Sequence, residues 1–286
     1  MKIKVFVLSL VSIAAFAEGH KPVQLAAGWF HACALTNKKV YCWGQADVDQ
    51  TKVPQDLINP TQISASDLHT CVLDSGRVRC WGSSEQGELN VPENLKNPTF
   101  VETAYGRTCA ITDEGLRCWG DAFGAFPADL GAVTEVSASM YYDCAVTGSK
   151  VRCWRNDGAE MPVPNLLNPR RISAGETHAC AITDGGLRCW GEDAYKQNTK
   201  IPIDLGKPIE IDAGKSHSCA LDSRGVLCWG DDYWSQGAIN VPRLNKPSQV
   251  VVGSNFSCAA EAHQKVRCWG NNENGQLEVP PELKSN

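Results

Sequence analysis

The chain has 286 residues, 43% hydrophobic and 21% charged, a composition that excludes a disordered or fibrous protein. Its formal charge is −5, from 27 basic and 32 acidic side chains, which argues against the basic surface that nucleic-acid binding needs. It carries 14 cysteines, and so many thiols either serve metal or redox chemistry in a reducing cytosol or pair outside the cell.

The N-terminus favours export. Lys2 and Lys4 precede an apolar stretch from Val5 to Phe16, and Ala15-Phe16-Ala17 has the small-x-small pattern read by signal peptidase. Residues 1–17 are therefore expected to be a signal peptide, with cleavage before Glu18 and residues 18–286 forming one domain. The apolar stretch is too short for a convincing membrane span, and no other segment approaches one. A secreted protein, periplasmic or extracellular, follows as the expectation.

From residue 21 onward the chain is one unit repeated. The cysteines fall as Cys33/Cys42, Cys71/Cys80, Cys109/Cys118, Cys144/Cys153, Cys180/Cys189, Cys219/Cys228 and Cys258/Cys268, and a tryptophan follows the second member of every pair. First cysteines recur at steps of 38, 38, 35, 36, 39 and 39 residues. Each unit holds apolar runs of strand length bounded by Gly, Asp, Asn or Pro, with no sustained helical period. The predicted fold is all-β: a seven-bladed β-propeller with four short antiparallel strands per blade. Lys21 to Gly28 matches Lys207 to Gly214, and Val279 to Leu283 matches the end of a unit, so the ring is expected to close without a linker or second domain.

Six cysteine pairs are Cys-x8-Cys around a turn such as Ser75-Gly76, which sets the two residues opposite each other on adjacent strands. One hairpin disulfide per blade is predicted, making seven identical staples, except that the extra residue between Cys258 and Cys268 predicts a bulged or longer hairpin. Zinc would need closer ligand spacing, and a redox role would call for Cys-x-x-Cys, so neither metal nor cofactor is expected.

The Ala-Gly-x-x-His-x-Cys-Ala pattern and the Val266 to Gln276 stretch resemble the regulator of chromosome condensation repeat. Within that superfamily the pattern is most similar to the secreted β-lactamase inhibitory protein II type: Gly191 to Gln197 and Ile201-Pro202 look like its inter-strand loops. The resemblance implies a propeller that binds protein, in its sharpest form an inhibitor of a β-lactamase or related cell-wall enzyme. The cysteine pairs and the shortened third and fourth units depart from that pattern.

In an up-and-down blade the 1–2 and 3–4 loops emerge on one face, with the 2–3 turns and the links between blades on the other. The turns contain no aromatic residue, whereas the first face gathers Trp29, Phe30, Tyr105, Phe123, Tyr141, Tyr142, Tyr195, Tyr233 and Trp234. Asp47, Asp49, Asp121, Asp157, Asp193, Asp231 and Asp232 accompany them. Aromatic side chains bring large contact area with few rotors, so this face is the candidate surface for a protein partner. The resemblance points to Trp29, Tyr141, Tyr195, Tyr233 and Asp232 within it. The blander reading has these rings packing on neighbouring loops.

His31, His69, His178 and His217 share one slot, read as blade packing rather than a metal ring, because Arg107, Tyr142 and Phe256 fill it elsewhere. Arg79, Arg117, Arg152, Arg188 and Arg267 recur two residues before the tryptophan and are expected to stack on it. Asp231-Asp232 could bind calcium, and Asn255-Phe256-Ser257 is a glycosylation sequon by pattern. No acid, base and nucleophile set converges, so the chain is read as a non-enzymatic, monomeric binding protein. A carbohydrate or cell-surface binding module is the alternative, with the same rings stacking on sugars.

Overall fold

The structure is a computed structural model, and it describes residues 23–37, 39–120, 126–127, 129–155, 157–231 and 236–285. Residues 1–17, Asp121, Phe123, Asp232, Tyr233 and Trp234 lie outside these segments. Seven antiparallel sheets follow one another along the chain, each with its strands in sequence order. The first is β1 (Gln24–Ala27), β2 (His31–Leu35) and β3 (Val40–Gly44), and the pattern ends with β20 (Gln249–Val252), β21 (Phe256–Glu261) and β22 (Lys265–Gly270). The middle strands, such as β5 (His69–Asp74), are buried at every position because neighbouring blades cover both faces of the sheet.

The fourth strand is a correction. Among the described residues six sheets have three strands, and the fourth blade alone adds one, β13 (Glu160–Met161), against β12 (Lys150–Arg155). Elsewhere the outer segment runs through Val53-Pro54, Val91-Pro92, Ile201-Pro202, Val241-Pro242 or Val279-Pro280. Proline has no N–H to offer a ladder, so these segments pack chiefly by their side chains, the seventh adding one backbone bridge, Val266 to Lys284. Val53 and Leu57 lie against the core between blades one and two, and Val279 and Leu283 fill that between blades seven and one.

All seven expected disulfides form: Cys33–Cys42, Cys71–Cys80, Cys109–Cys118, Cys144–Cys153, Cys180–Cys189, Cys219–Cys228 and Cys258–Cys268. Each joins strands two and three of one blade, with Cα separations of 4.0–4.1 Å. They are not identical staples, which corrects the sequence expectation. Every first cysteine sits buried on a middle strand, whereas the second lies on the outer strand, where cover varies. Cys42, Cys80, Cys189, Cys228 and Cys268 are half-buried, Cys118 is exposed and Cys153 is buried beneath β13. The physical reason is the outer segment: where the described residues hold no paired fourth strand, the second cysteine is covered only in part.

In blade two Cys71 pairs directly with Cys80, and the Ser75-Gly76 tip has positive φ at both residues, as a two-residue hairpin loop requires. Blade seven needs a three-residue loop, where a single 3-10 turn spans Ala262–Gln264. The longer hairpin predicted from the cysteine spacing is there.

Each hydrophobic cluster sits between neighbouring blades rather than within one, and seven clusters fill the seven seams. The second cysteines contribute to them: Cys42, Cys189 and Cys228 pack at the seams after blades one, five and six. The Trp81 indole N–H donates to the Gln50 carbonyl of the preceding blade at 2.9 Å, and Trp119, Trp229 and Trp269 do the same to Glu88, Gln197 and Ala238. Trp43 donates to Gln276 at 2.8 Å, and the Gln249 side chain holds both the N–H and the carbonyl of Leu25. Blade seven thereby closes on blade one.

The recurrent histidine slot is a seam device. His31, His69, His178 and His217 bond through Nε2 to the hydroxyls of Thr70, Thr108, Ser218 and Ser257 in the following blade, at 2.7–2.9 Å. Where the slot holds Arg107, the next blade offers Asp143 instead. Where it holds Tyr142 or Phe256, the next blade offers Ala179 or Ala32, and each pair shares a hydrophobic cluster. The packing role expected for the histidines therefore holds, and the partner residue changes chemistry with the slot.

Candidate functional site

The 1–2 loops and the 3–4 loops do emerge together. The residue after the Trp-Gly pair donates its N–H to the 1–2 loop of the same blade: Gln45 to Phe30, Ser83 to Leu68, Glu192 to Thr177, Asp231 to Ser216 and Asn271 to Asn255, at 2.8–3.1 Å. Glycine is needed at this corner. Gly82 has φ +111°, and a Cβ there would meet the Leu68 carbonyl oxygen at 2.4 Å. On the opposite face the turns tie to the links, as Ser75 N–H does to Asn59 and Asp184 N–H to Leu167.

At the centre of the first face the innermost strands leave a cavity of about 130 Å³, the mouth of the axial channel. Trp29 and Tyr105 stand on its rim. They come from blades one and three, yet their ring centroids are 5.8 Å apart at a tilt of 37°. Phe30 meets Trp29 edge-on at 6.2 Å. Tyr105 and Tyr141 are 37% and 41% exposed, unusual for such large rings, and Met140 lines the mouth beside them. Tyr195 is half-buried in the fifth blade's 3–4 loop, outside the cavity lining. Tyr142 is not on the face: it opens β11 (Tyr142–Thr147), 9% exposed, and packs in the seam toward Ala179.

The acidity of the face lies deeper than the loop aspartates suggest. Asp47, Asp49 and Asp157 are on the surface, whereas Asp67, Glu102, Glu176 and Asp212 line the cavity itself. Glu102 and Asp212 occupy the strand-one position opposite the first cysteine, where other blades have Ala26, Ser64, Ser137, Ser173 or Val251. The register explains the tolerance. Side chains at this position accept the backbone N–H of the next blade: Ser64 from Thr103, Ser137 from Ala174, Ser173 from Ala213 and Asp212 from Val252. Burial pushes the Glu102 carboxyl up to about 8 and those of Asp212 and Asp67 up to about 6. One layer below, burial raises Glu135 to about 7. Aligning the units at their first cysteine would have shown these two acids in place of small residues.

Two sequence expectations change, and a third falls outside the described residues. Among the five arginines before tryptophan, Arg152 lies over its ring at 5.6 Å, whereas Arg79 grips Asp56 and Arg267 turns to Glu261. The Asn255 sequon is a poor acceptor site, because Phe256 and Ser257 are fully buried and Ser257 receives His217. Asp232, half of the calcium pair, falls outside the described residues. No helix among the described residues is long and apolar enough to cross a membrane.

A profile of the Regulator of chromosome condensation (RCC1) repeat matches residues 23–50, 61–88, 170–197, 209–233 and 248–276. The fold is similar to the entire ectodomain of the Physcomitrella patens receptor kinase CR4, with TM-score 0.74, 22% identity, 87% of this chain covered and 73% of that one. It is similar to the Arabidopsis thaliana ACR4 ectodomain at TM-score 0.71 and 20% identity, over 90% and 98% of the two chains. A structure of yeast RCC1 (Prp20) with Kap60 matches at TM-score 0.68 and 15% identity, over 93% and 82%. No curated protein sequence matches the chain. At these identities the structural likeness is one of fold: the chain is a seven-bladed propeller with one disulfide in every blade, and five of its repeats resemble the RCC1 repeat.

Proposed function

We propose that the protein is an exported, non-catalytic, monomeric propeller that captures another protein through the mouth of its axial channel. The observation that carries this is the ring pair Trp29–Tyr105 on the rim of a cavity, with the exposed Tyr141 next in sequence to Met140 of its lining. Exposed rings next to a concavity provide an anchor, and a partner that covers them gains the apolar burial they lack. Export is supported by the seven disulfides and by the leader-like residues 1–17. In its sharpest form the partner is a β-lactamase or related cell-wall enzyme, as the sequence pattern of the loops suggests.

The test is quantitative capture from the cell exterior with wild type and with Trp29→Ala/Tyr105→Ala/Tyr141→Ala. Partners bound through the mouth drop out with the triple variant, and retention of every partner overturns the reading. Titration against purified class A β-lactamases checks the sharper form, which fails if micromolar protein leaves hydrolysis unchanged. Binding to glycans and to no protein would instead select the carbohydrate reading.

A further inference from the structure

The cavity asks for a cation. Four of its lining residues are carboxylates, Asp67, Glu102, Glu176 and Asp212, against one base, Lys215. Lys215 reaches Glu176 Oε2 at 3.7 Å and leaves the buried Oε1 without a partner. Two buried histidines lie outside the lining. His217 is fully buried, and its Nε2 meets the Ser257 hydroxyl, whose own proton goes to the Ala238 carbonyl. The imidazole therefore carries its hydrogen on Nε2, and Nδ1 is a bare acceptor with no partner. His178 Nδ1, also fully buried and unpartnered, would lie 3.0 Å from a Cβ on Gly175, and Gly175 and Gly214 form part of the cavity wall. In blade two the equivalent His69 Nδ1 is met by the Ser66 hydroxyl. Trp29 and Tyr105 complete the lining beside these carboxyl groups.

Resting on the protein-binding reading above, we propose that the mouth receives a single arginine side chain projecting from the partner. The guanidinium would sit by the Trp29–Tyr105 pair and donate to the carboxyl oxygens of Glu102 and Asp212, its own charge holding both groups ionised once it is bound. Three properties of the cavity fit that guest. A guanidinium carries five N–H donors, which suits a lining that holds four carboxyl groups. It stacks on aromatic rings, which suits the rim. About 130 Å³ holds roughly four waters, room enough for one planar head group displacing them.

The probe is N-acetyl-arginine methylamide, compared with its uncharged citrulline counterpart by ligand-observed NMR on the intact protein. Arginine should bind and citrulline should not. Glu102→Gln/Asp212→Asn should weaken arginine binding by about tenfold or more, since it removes charge-assisted hydrogen bonds. That variant keeps acceptor groups where other blades use neutral ones, and its thermal melt reports that the ring is intact. Equal binding of both probes, or undiminished binding to the variant, overturns the proposal. Partner capture separates this claim from the one beneath it. Loss of the partner from both the Glu102/Asp212 variant and the aromatic triple variant supports arginine insertion. Loss from the aromatic variant alone leaves the protein-binding face standing and rejects the inserted arginine.

Discussion

A carboxyl on the propeller axis, where neighbouring blades place serine or alanine, links stability to pH. Glu102 titrates near 8 in the folded protein because burial penalises its charge, against about 4.3 in an unfolded chain. The folded state then holds a proton that the unfolded state gives up. Its contribution is fully present below about pH 4 and is lost as the pH rises toward 8. Asp212 and Glu135, raised to about 6 and 7, act in the same direction over narrower windows. The melting temperature should fall between mildly acidic and mildly alkaline buffer, and Glu102→Gln should flatten that fall. Identical pH slopes for the two proteins would contradict the assignment. These acids were visible as letters but not as a feature, since charge on an inner strand means nothing until the register sets it opposite a buried cysteine. Tyr142 shows the reverse case: it reads as one more loop aromatic, yet it is the seam residue of its blade.

At the scale of the element, the seam slot pairs like a code: histidine with hydroxyl, arginine with aspartate, aromatic with alanine. Arg107 and Asp143 are 8% and 4% exposed, so Arg107→Ala leaves an uncompensated buried charge and should cost about 3–5 kcal/mol. Arg107→His together with Asp143→Thr recreates the His69–Thr108 arrangement and should recover most of that loss. Chemical denaturation of the single and double variants decides it, and no recovery would show that the pairing is not transferable. Unequal cover over the staples has its own consequence. Cys153 is buried beneath β13, Cys42, Cys189 and Cys228 are half-buried, and Cys118 is exposed on the outer strand of blade three, β9 (Gly115–Gly120). Under limiting reductant Cys109–Cys118 should open first and Cys144–Cys153 among the last, as read by alkylation and peptide mass. The reverse order would contradict it. Hairpins and staples were legible because cysteine spacing encodes register directly. The outer strand was not, because a run such as Val279-Pro280-Pro281 has the apolar content of a strand without the N–H groups to build one.

The whole molecule is a ring whose blade count follows from its period and whose closure follows from residues far apart in sequence. Trp43 with Gln276 and Phe256 with Ala32 make the last seam equivalent to the others. Phe256 is fully buried there, so Phe256→Ala should cost about 3–5 kcal/mol and open the ring at its closing seam. A loss below about 1 kcal/mol would show that closure rests elsewhere. The two faces were legible from connectivity alone. The contact of Trp29 with Tyr105 was not, since only the closure of the ring brings the loops of blades one and three together. The central claim is that a partner docks on this mouth. Amide hydrogen exchange of the protein with and without its captured partner tests it most directly. The account predicts slowed exchange in the loops at 28–30, 66–68, 104–106 and 139–141. Protection confined to the turns and links of the opposite face would contradict it.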